Sequence, residues 1–185
     1  FSIERGKKDQ KEAEYILGNC VVLLILFGIF LTILVYAGKV PLLYLLGASK
    51  KTIGYADSYL SVYLLGNIFV MLSLGLNNFI NAQGFGRTGM WTVAIGAGVN
   101  IILDPLFIFT FGFGVRGAAM ATVISQAMAT IWTFRFLLGK KAVVRIRRDR
   151  LCLQTKRVRR ILVLGLSGFT MAVTNSLVQI VCNAS

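Results

Sequence analysis

Apolar runs of 18 or more residues recur along this 185-residue chain. A helical run of that length crosses a hydrocarbon core of ~30 Å. With no water there to bond the backbone, the chain satisfies its own amides as helix. Five runs stand out, at 17–37, 57–80, 89–111, 117–138 and 161–185. Gly and Pro mark the joints between them: Gly38 to Gly47 with Pro41, then Gly84 and Gly86, then Gly112 and Gly114. The length alone would suit one soluble domain, but 56% hydrophobic residues and only seven acids exclude it. The fold class expected is all-α, a polytopic transmembrane helix bundle.

The chain opens at Phe1 without a Met, and its last apolar run reaches Ser185 with no cap or polar tail. A piece of a longer protein is therefore expected. A cleavable signal peptide is not, because the first sixteen residues are charged and the first run is full length. Cys20, Cys152 and Cys182 are far apart and form no CxxC pair, so neither a disulfide nor a zinc site is expected.

The net charge of +13 invites a nucleic-acid reading, but its distribution points elsewhere. With the runs alternating in direction, one side carries Arg5, Lys7, Lys8, Lys11, Arg87 and ten basic residues between Lys140 and Arg160. The other side carries Lys39, Lys50, Lys51 and Arg116. With Arg135 left out near a helix end, the count is fifteen against four. The positive-inside rule then puts the first side, Cys152 included, in the cytoplasm of a cell membrane. The segment 140–160 also interleaves Val143, Val144, Ile146, Leu151, Leu153 and Val158 with its cations. Two readings of it stay open, a stretch lying on anionic headgroups or a solvated connector.

Asp104 is the residue that most needs explaining. It is an acid inside the third run, where a carboxylate costs several kcal/mol unless a partner, cation or proton neutralises it. At four-residue spacing Thr92, Gly96, Asn100 and Asp104 share one helical face. Pro105 removes a backbone donor beside them, and a bend there would free carbonyls near the acid. In the fourth run Gly117, Ala121, Ser125 and Ala129 form a small-residue row suited to close helix contact. Ala118, Thr122, Gln126 and Thr130 run beside it, serving either as a polar lining or as hydrogen bonds between helices. Ser73, Asn77, Asn78, Asn81 and Gln83 close the second run and read first as caps and interface groups. No histidine, no nucleophile–base pair and no phosphate-binding loop is present, so nothing in the sequence supports an enzyme.

The stretch NIILDPLFIFTFGFGVRGAAMATVISQ, residues 100–126, resembles the multidrug and toxic compound extrusion (MATE) family. It pairs LDP in one span with a GxGVRGAA turn and ATxxSQ in the next. Residues 2–19, 72–84 and 164–169 are similar to further family stretches in the expected order. The resemblance implies twelve spans in two six-helix lobes, with about five spans present here. Residues 1–139 would belong to the N-terminal lobe, 140–160 to a basic cytoplasmic linker, and 161–185 to the first helix of the C-terminal lobe. It further implies an antiporter that exports organic cations or drugs in exchange for protons or sodium. The partners would be membrane lipid and a small organic cation, with no nucleic acid and no cofactor beyond the coupling ion. Asn100, Asp104 and Thr122 match the positions implicated in coupling and would hold sodium where sodium is used. Gln126, Asn77 and Asn78 stand as secondary candidates. Gly168 departs from the family, whose seventh span often carries a proline there, so a bend at that point is not expected here. The alternatives are a lipid-linked oligosaccharide flippase of the same superfamily and a non-transporting membrane scaffold.

Overall fold

The computed structural model describes residues 10–147, 150 and 153–184. Cys152 and the first part of the 2–19 stretch lie outside the described residues. Helix α1 spans Gln10–Ala37 and α2 spans Lys39–Leu45. They are followed by α3 (Ile53–Leu65), α4 (Asn67–Ala82) and α5 (Gly86–Pro105). A π-helical turn (Leu106–Thr110) extends α5, and α6 (Val115–Leu138) and α7 (Thr155–Ala184) complete the order. Among the described residues α1, α5 with its π-turn, and α6 are each long and apolar enough to cross a membrane. The paired helices α3 and α4, bent by 58°, are long and apolar enough only together, and make a fourth candidate where the pair counts as one span. The fifth expected run is helical too, in α7, but over its described residues it is not among those four. The molecule is an all-helical membrane bundle, as its apolar runs require.

The second run was expected as one span and is broken at Gly66. Gly66 has φ −92°, open to any residue, so its freedom at positive φ is not the reason it is there. A Cβ on Gly66 would lie 2.3 Å from Val123 Cγ2, so the missing side chain lets α6 lie against the break. The break is tied to α1 by polar groups. Asn67 donates to Gly28 O and to Thr32 Oγ1, both at 3.2 Å, and Thr32 donates to Leu64 O at 3.3 Å. Carbonyls loosened at a break within the membrane need such partners.

Helices α5 and α6 form the central hairpin. The row Gly117, Ala121, Ser125 and Ala129 is buried along its length, as small-residue packing predicts. A Cβ on Gly117 would come within 2.7 Å of Phe107 O, and one on Gly96 would touch Ala129 Cβ at 3.6 Å. The turn between the helices uses Gly112 and Gly114 at φ 67° and 54°, a region costly for other residues.

The hydrophobic core lies at the end where α1 begins and α6 stops. Leu17, Leu72, Leu76, Ile80 and Leu137 pack there with Ala142, Val144 and Ile146 of the linker. This changes the reading of the linker. Its apolar residues neither lie on headgroups nor hang in water at this point: 142, 144 and 146 turn inward while 143, 145 and 147 are exposed. Backbone bonds fix the strap. Val144 N donates to the buried Gln83 Oε1 at 2.9 Å, and Ile146 N to Leu137 O at 3.1 Å. Further on, Gln154 N donates to Asn19 Oδ1 at 3.0 Å. Arg157 makes a two-point contact with Glu12, at 2.8 and 2.6 Å, and stacks on Tyr15. Arg150 pairs with Glu14. Helix α7 then begins at Thr155, inside the segment expected as linker, and runs unbroken through Gly168.

Candidate functional site

Three helices supply polar groups to one site, among them Ser73 and Asn77, which were expected first as caps and interface groups. Ser73 and Asn77 of α4, Thr92 and Asn100 of α5, and Thr122 and Gln126 of α6 line one cavity of about 240 Å³. Gly96 and Ala129 leave room for it where the hairpin helices meet. Thr92 and Ser125 are buried there, while Asn77, Asn100, Thr122 and Gln126 are half-buried.

The hydroxyl protons are already spent on the helices' own carbonyls. Thr92 donates to Thr88 O at 3.3 Å, Thr122 to Ala118 O at 3.0 Å, and Ser125 to Thr122 O at 2.8 Å. A hydroxyl that has donated backwards offers only lone pairs outward, so these side chains present acceptors. Asn77 Oδ1 is buried beside Gly89 with no hydrogen-bond partner. The amides of Asn77 and Gln126 carry donors as well as acceptors, so the wall is neutral, with its hydroxyl lone pairs suited to a cation, a protonated group or water.

Asp104 sits half-buried one turn beyond this wall. Asn100 Nδ2 donates to Asp104 Oδ1 at 3.3 Å, joining the carboxylate to the cavity through the amide. Thr122 was expected to reach Asp104 from the neighbouring helix, and here no hydrogen bond joins them. Its hydroxyl turns to Ala118 O instead, because the nearest acceptor for a helical Thr is its own preceding turn. The structure thus brings Asn100 and Asp104 into contact, and joins Thr122 to Asn100 only through the cavity.

The secondary candidates divide. Gln126 and Asn77 line the polar cavity, whereas Asn78 faces a separate, mainly apolar cavity beside Cys20, Phe79 and Phe169. Thr130 serves packing, its hydroxyl lying 2.8 Å from Phe69 O of α4 and equally from Gln126 O. Pro105 has no N–H to offer Ile101 O, and beyond it the expected bend takes the form of a change of helix type. The helix passes into the π-turn, where Phe111 N donates to Leu106 O at 3.0 Å and Phe113 N to Phe107 O at 3.1 Å. Asn67 and Asn19, which staple the break and the linker to α1, were not singled out by the sequence reading. Asn67 had a signal in its position next to a glycine in mid-run, and Asn19 had none.

Membrane-length helices enclosing a polar cavity, with one carboxylate at its edge, define a polytopic α-helical membrane protein with an internal polar site. The MatE family model matches residues 2–106, more than half of the chain, and the chain belongs to that family. The multidrug export protein MepA of Staphylococcus aureus (strain NCTC 8325 / PS 47) is 26% identical over 178 residues, covering 96% of this chain and 40% of MepA. A solved inward-facing multidrug resistance MATE family transporter of the MOP superfamily superposes with a TM-score of 0.82 at 27% identity, over 89% of this chain and 38% of that one. An outward-facing structure of such a transporter gives 0.81 at 28% identity, over 89% and 37%. The chain therefore spans about 40% of the length of these relatives.

Proposed function

We propose that this chain is part of a secondary active antiporter, not an enzyme, that exports organic cations or drugs in exchange for protons or sodium. The observation that carries the reading is Asp104, held by Asn100 at the edge of a neutral polar cavity between α4, α5 and α6. A carboxylate in such a place is neutralised by a proton or a bound cation, and exchanging that neutralising charge is what couples an ion gradient to a substrate. The family, with MepA and the multidrug resistance transporters among its members, supports the same reading.

The residues present suit a monovalent ion. Among the described residues no three His, Cys, Asp or Glu side chains gather, so a cation here rests on one carboxylate and neutral oxygens. Asp104 and the amide oxygen of Asn100 would hold sodium, with Thr122 presenting its lone pairs from across the cavity. The ion supplies only charge and hard-ligand coordination. Asn100 orients the carboxylate, and the small residues of the hairpin keep the space open. The cavity wall carries no Lys or Arg, which speaks against a flippase for a diphosphate headgroup. In this reading the linker and the start of α1 face the cytoplasm.

The test is export of a fluorescent organic cation by the full-length protein in vesicles, across a pH and sodium series. Asp104→Asn keeps the shape and removes the charge, so coupled export should be lost while expression stays near normal. Wild-type rates and unchanged ion dependence in the mutant would remove Asp104 from the mechanism. A scaffold role predicts no export from either protein.

A further inference from the structure

A second cavity, of about 510 Å³, opens where α6 ends and the linker begins, well away from Asp104. Its charge comes from Arg135, Lys140 and Lys141, and its wall from Trp132 and Phe136. Thr88, in the first turn of α5, adds a hydroxyl to the opposite side. Gly139 also lines it, at a bend where a Cβ would press to 3.1 Å on Arg135 O and 3.2 Å on Phe136 O.

These cations differ from those elsewhere in the linker. Arg150 and Arg157 are committed to Glu14 and Glu12. Arg135, Lys140 and Lys141 have no ion pair among the described residues, and no acid lines the cavity. The carbonyls at the end of α6 are quietened by other groups. Leu137 O accepts from Ile146 N at 3.1 Å, Phe136 O from Gly139 N at 3.0 Å, and Lys140 O from Arg145 Nη2 at 2.9 Å. Among the described residues the field in the cavity is therefore that of three cations without an acidic partner.

The surface below the cavity indicates what the anion is attached to. Met128, Ile131, Trp132 and Leu138 share a face of α6 with Arg135, at three- and four-residue spacing, and all are exposed. An apolar strip on a membrane helix that ends in a basic pocket, with a tryptophan at the junction, matches an acyl chain below a phosphate. A free inorganic anion would gain nothing from that strip. We propose that this cavity binds the phosphodiester headgroup of an anionic phospholipid in the leaflet on the linker side, with an acyl chain lying along the Met128–Ile131–Trp132 face of α6. The site needs α6 to span the membrane and does not depend on Asp104 or on which ion is coupled.

The test uses the full-length protein in nanodiscs with photoreactive phosphatidylglycerol or phosphatidylcholine, mapping labelled peptides by mass spectrometry. Phosphatidylglycerol should label the segment 128–141 roughly 30-fold or more above phosphatidylcholine, as expected for two or three cations near a headgroup. Lys140→Gln with Lys141→Gln should lower phosphatidylglycerol labelling by about tenfold or more, leaving the smaller preference that Arg135 alone provides. Lys140→Arg with Lys141→Arg should retain full labelling, as should Lys50→Gln with Lys51→Gln at the other end of the molecule. High salt should lower wild-type labelling by the anionic probe alone, which tests the site without any variant. Equal labelling by both lipids, full labelling in the glutamine variant, or displacement by inorganic phosphate at constant ionic strength would each overturn the proposal, the last by making this a free-anion site. Because the readout is lipid contact and not export, it stands or falls separately from the transport reading.

Discussion

Replacing Asn100 by Ala removes the side-chain donor that Asp104 accepts at 3.3 Å and leaves the carboxylate without its partner on α5. A hydrogen bond to a charged group is worth about 1.5–3 kcal/mol when buried, and less for this half-exposed pair. Export by the full-length protein in vesicles should fall by about tenfold or less, with its pH and sodium dependence altered. Thr122→Val is the contrasting case. The hydroxyl's observed bond is to Ala118 O within its own helix, so stability should change by about 1 kcal/mol at most, read as the thermal midpoint in detergent. A large loss of export with unchanged stability would give Thr122 its role through the cavity. Spacing alone made Asn100 and Asp104 neighbours, because residues four apart on a helix must meet. It could not say which way the Thr122 hydroxyl turns, because that choice between two acceptors a few ångströms apart leaves no trace in periodicity.

The helix contacts permit sharper tests. Gly66→Ala would gain about 0.5–1 kcal/mol from backbone entropy in a helix with open surroundings. Here its Cβ meets Val123 Cγ2 at 2.3 Å, and such overpacking costs about 1–3 kcal/mol, so the net change should be destabilising. Val123→Ala in the same chain should restore most of the thermal midpoint. Gly117→Ala meets the backbone oxygen of Phe107 at 2.7 Å, and no side-chain trimming should rescue it. The helical runs themselves were legible, since length and apolarity fix them. The break at Gly66 was not, because both halves are apolar and the cause lies on α6. The π-turn after Pro105 was half legible: proline announces a disturbance, and the way the next turn absorbs it depends on packing against Gly117.

At the scale of the whole molecule, the start of α1, the turn before α5 and the linker share one end, as alternating spans require. A membrane-impermeant maleimide should fail to label Lys141→Cys from outside intact cells and should label it in inverted vesicles, if that end is cytoplasmic. The burial of 142, 144 and 146 was present in the sequence as a period of two, but the surrounding arginines hid it by reading as a solvated stretch. Val144→Asp places a charge where the side chain is fully enclosed beside Leu17 and Leu76. It should release the strap and raise trypsin cleavage between 140 and 150 in inverted vesicles, with wild type as the slow reference.

The strap changes where the start of α7 belongs. Val144 and Ile146 are seated in the bundle, and Gln154 and Arg157 are fastened to Asn19 and Glu12 of α1. The first turn of α7 is therefore held to α1 by two side-chain contacts, independently of the seat of Val144 and Ile146. Beyond Arg157 the helix is less engaged, and at Gly165 a Cβ would meet nothing within 4 Å. The end of α7 that the amino-acid pattern counts with the linker thus belongs, through Gln154 and Arg157, to the end of the bundle where α1 begins.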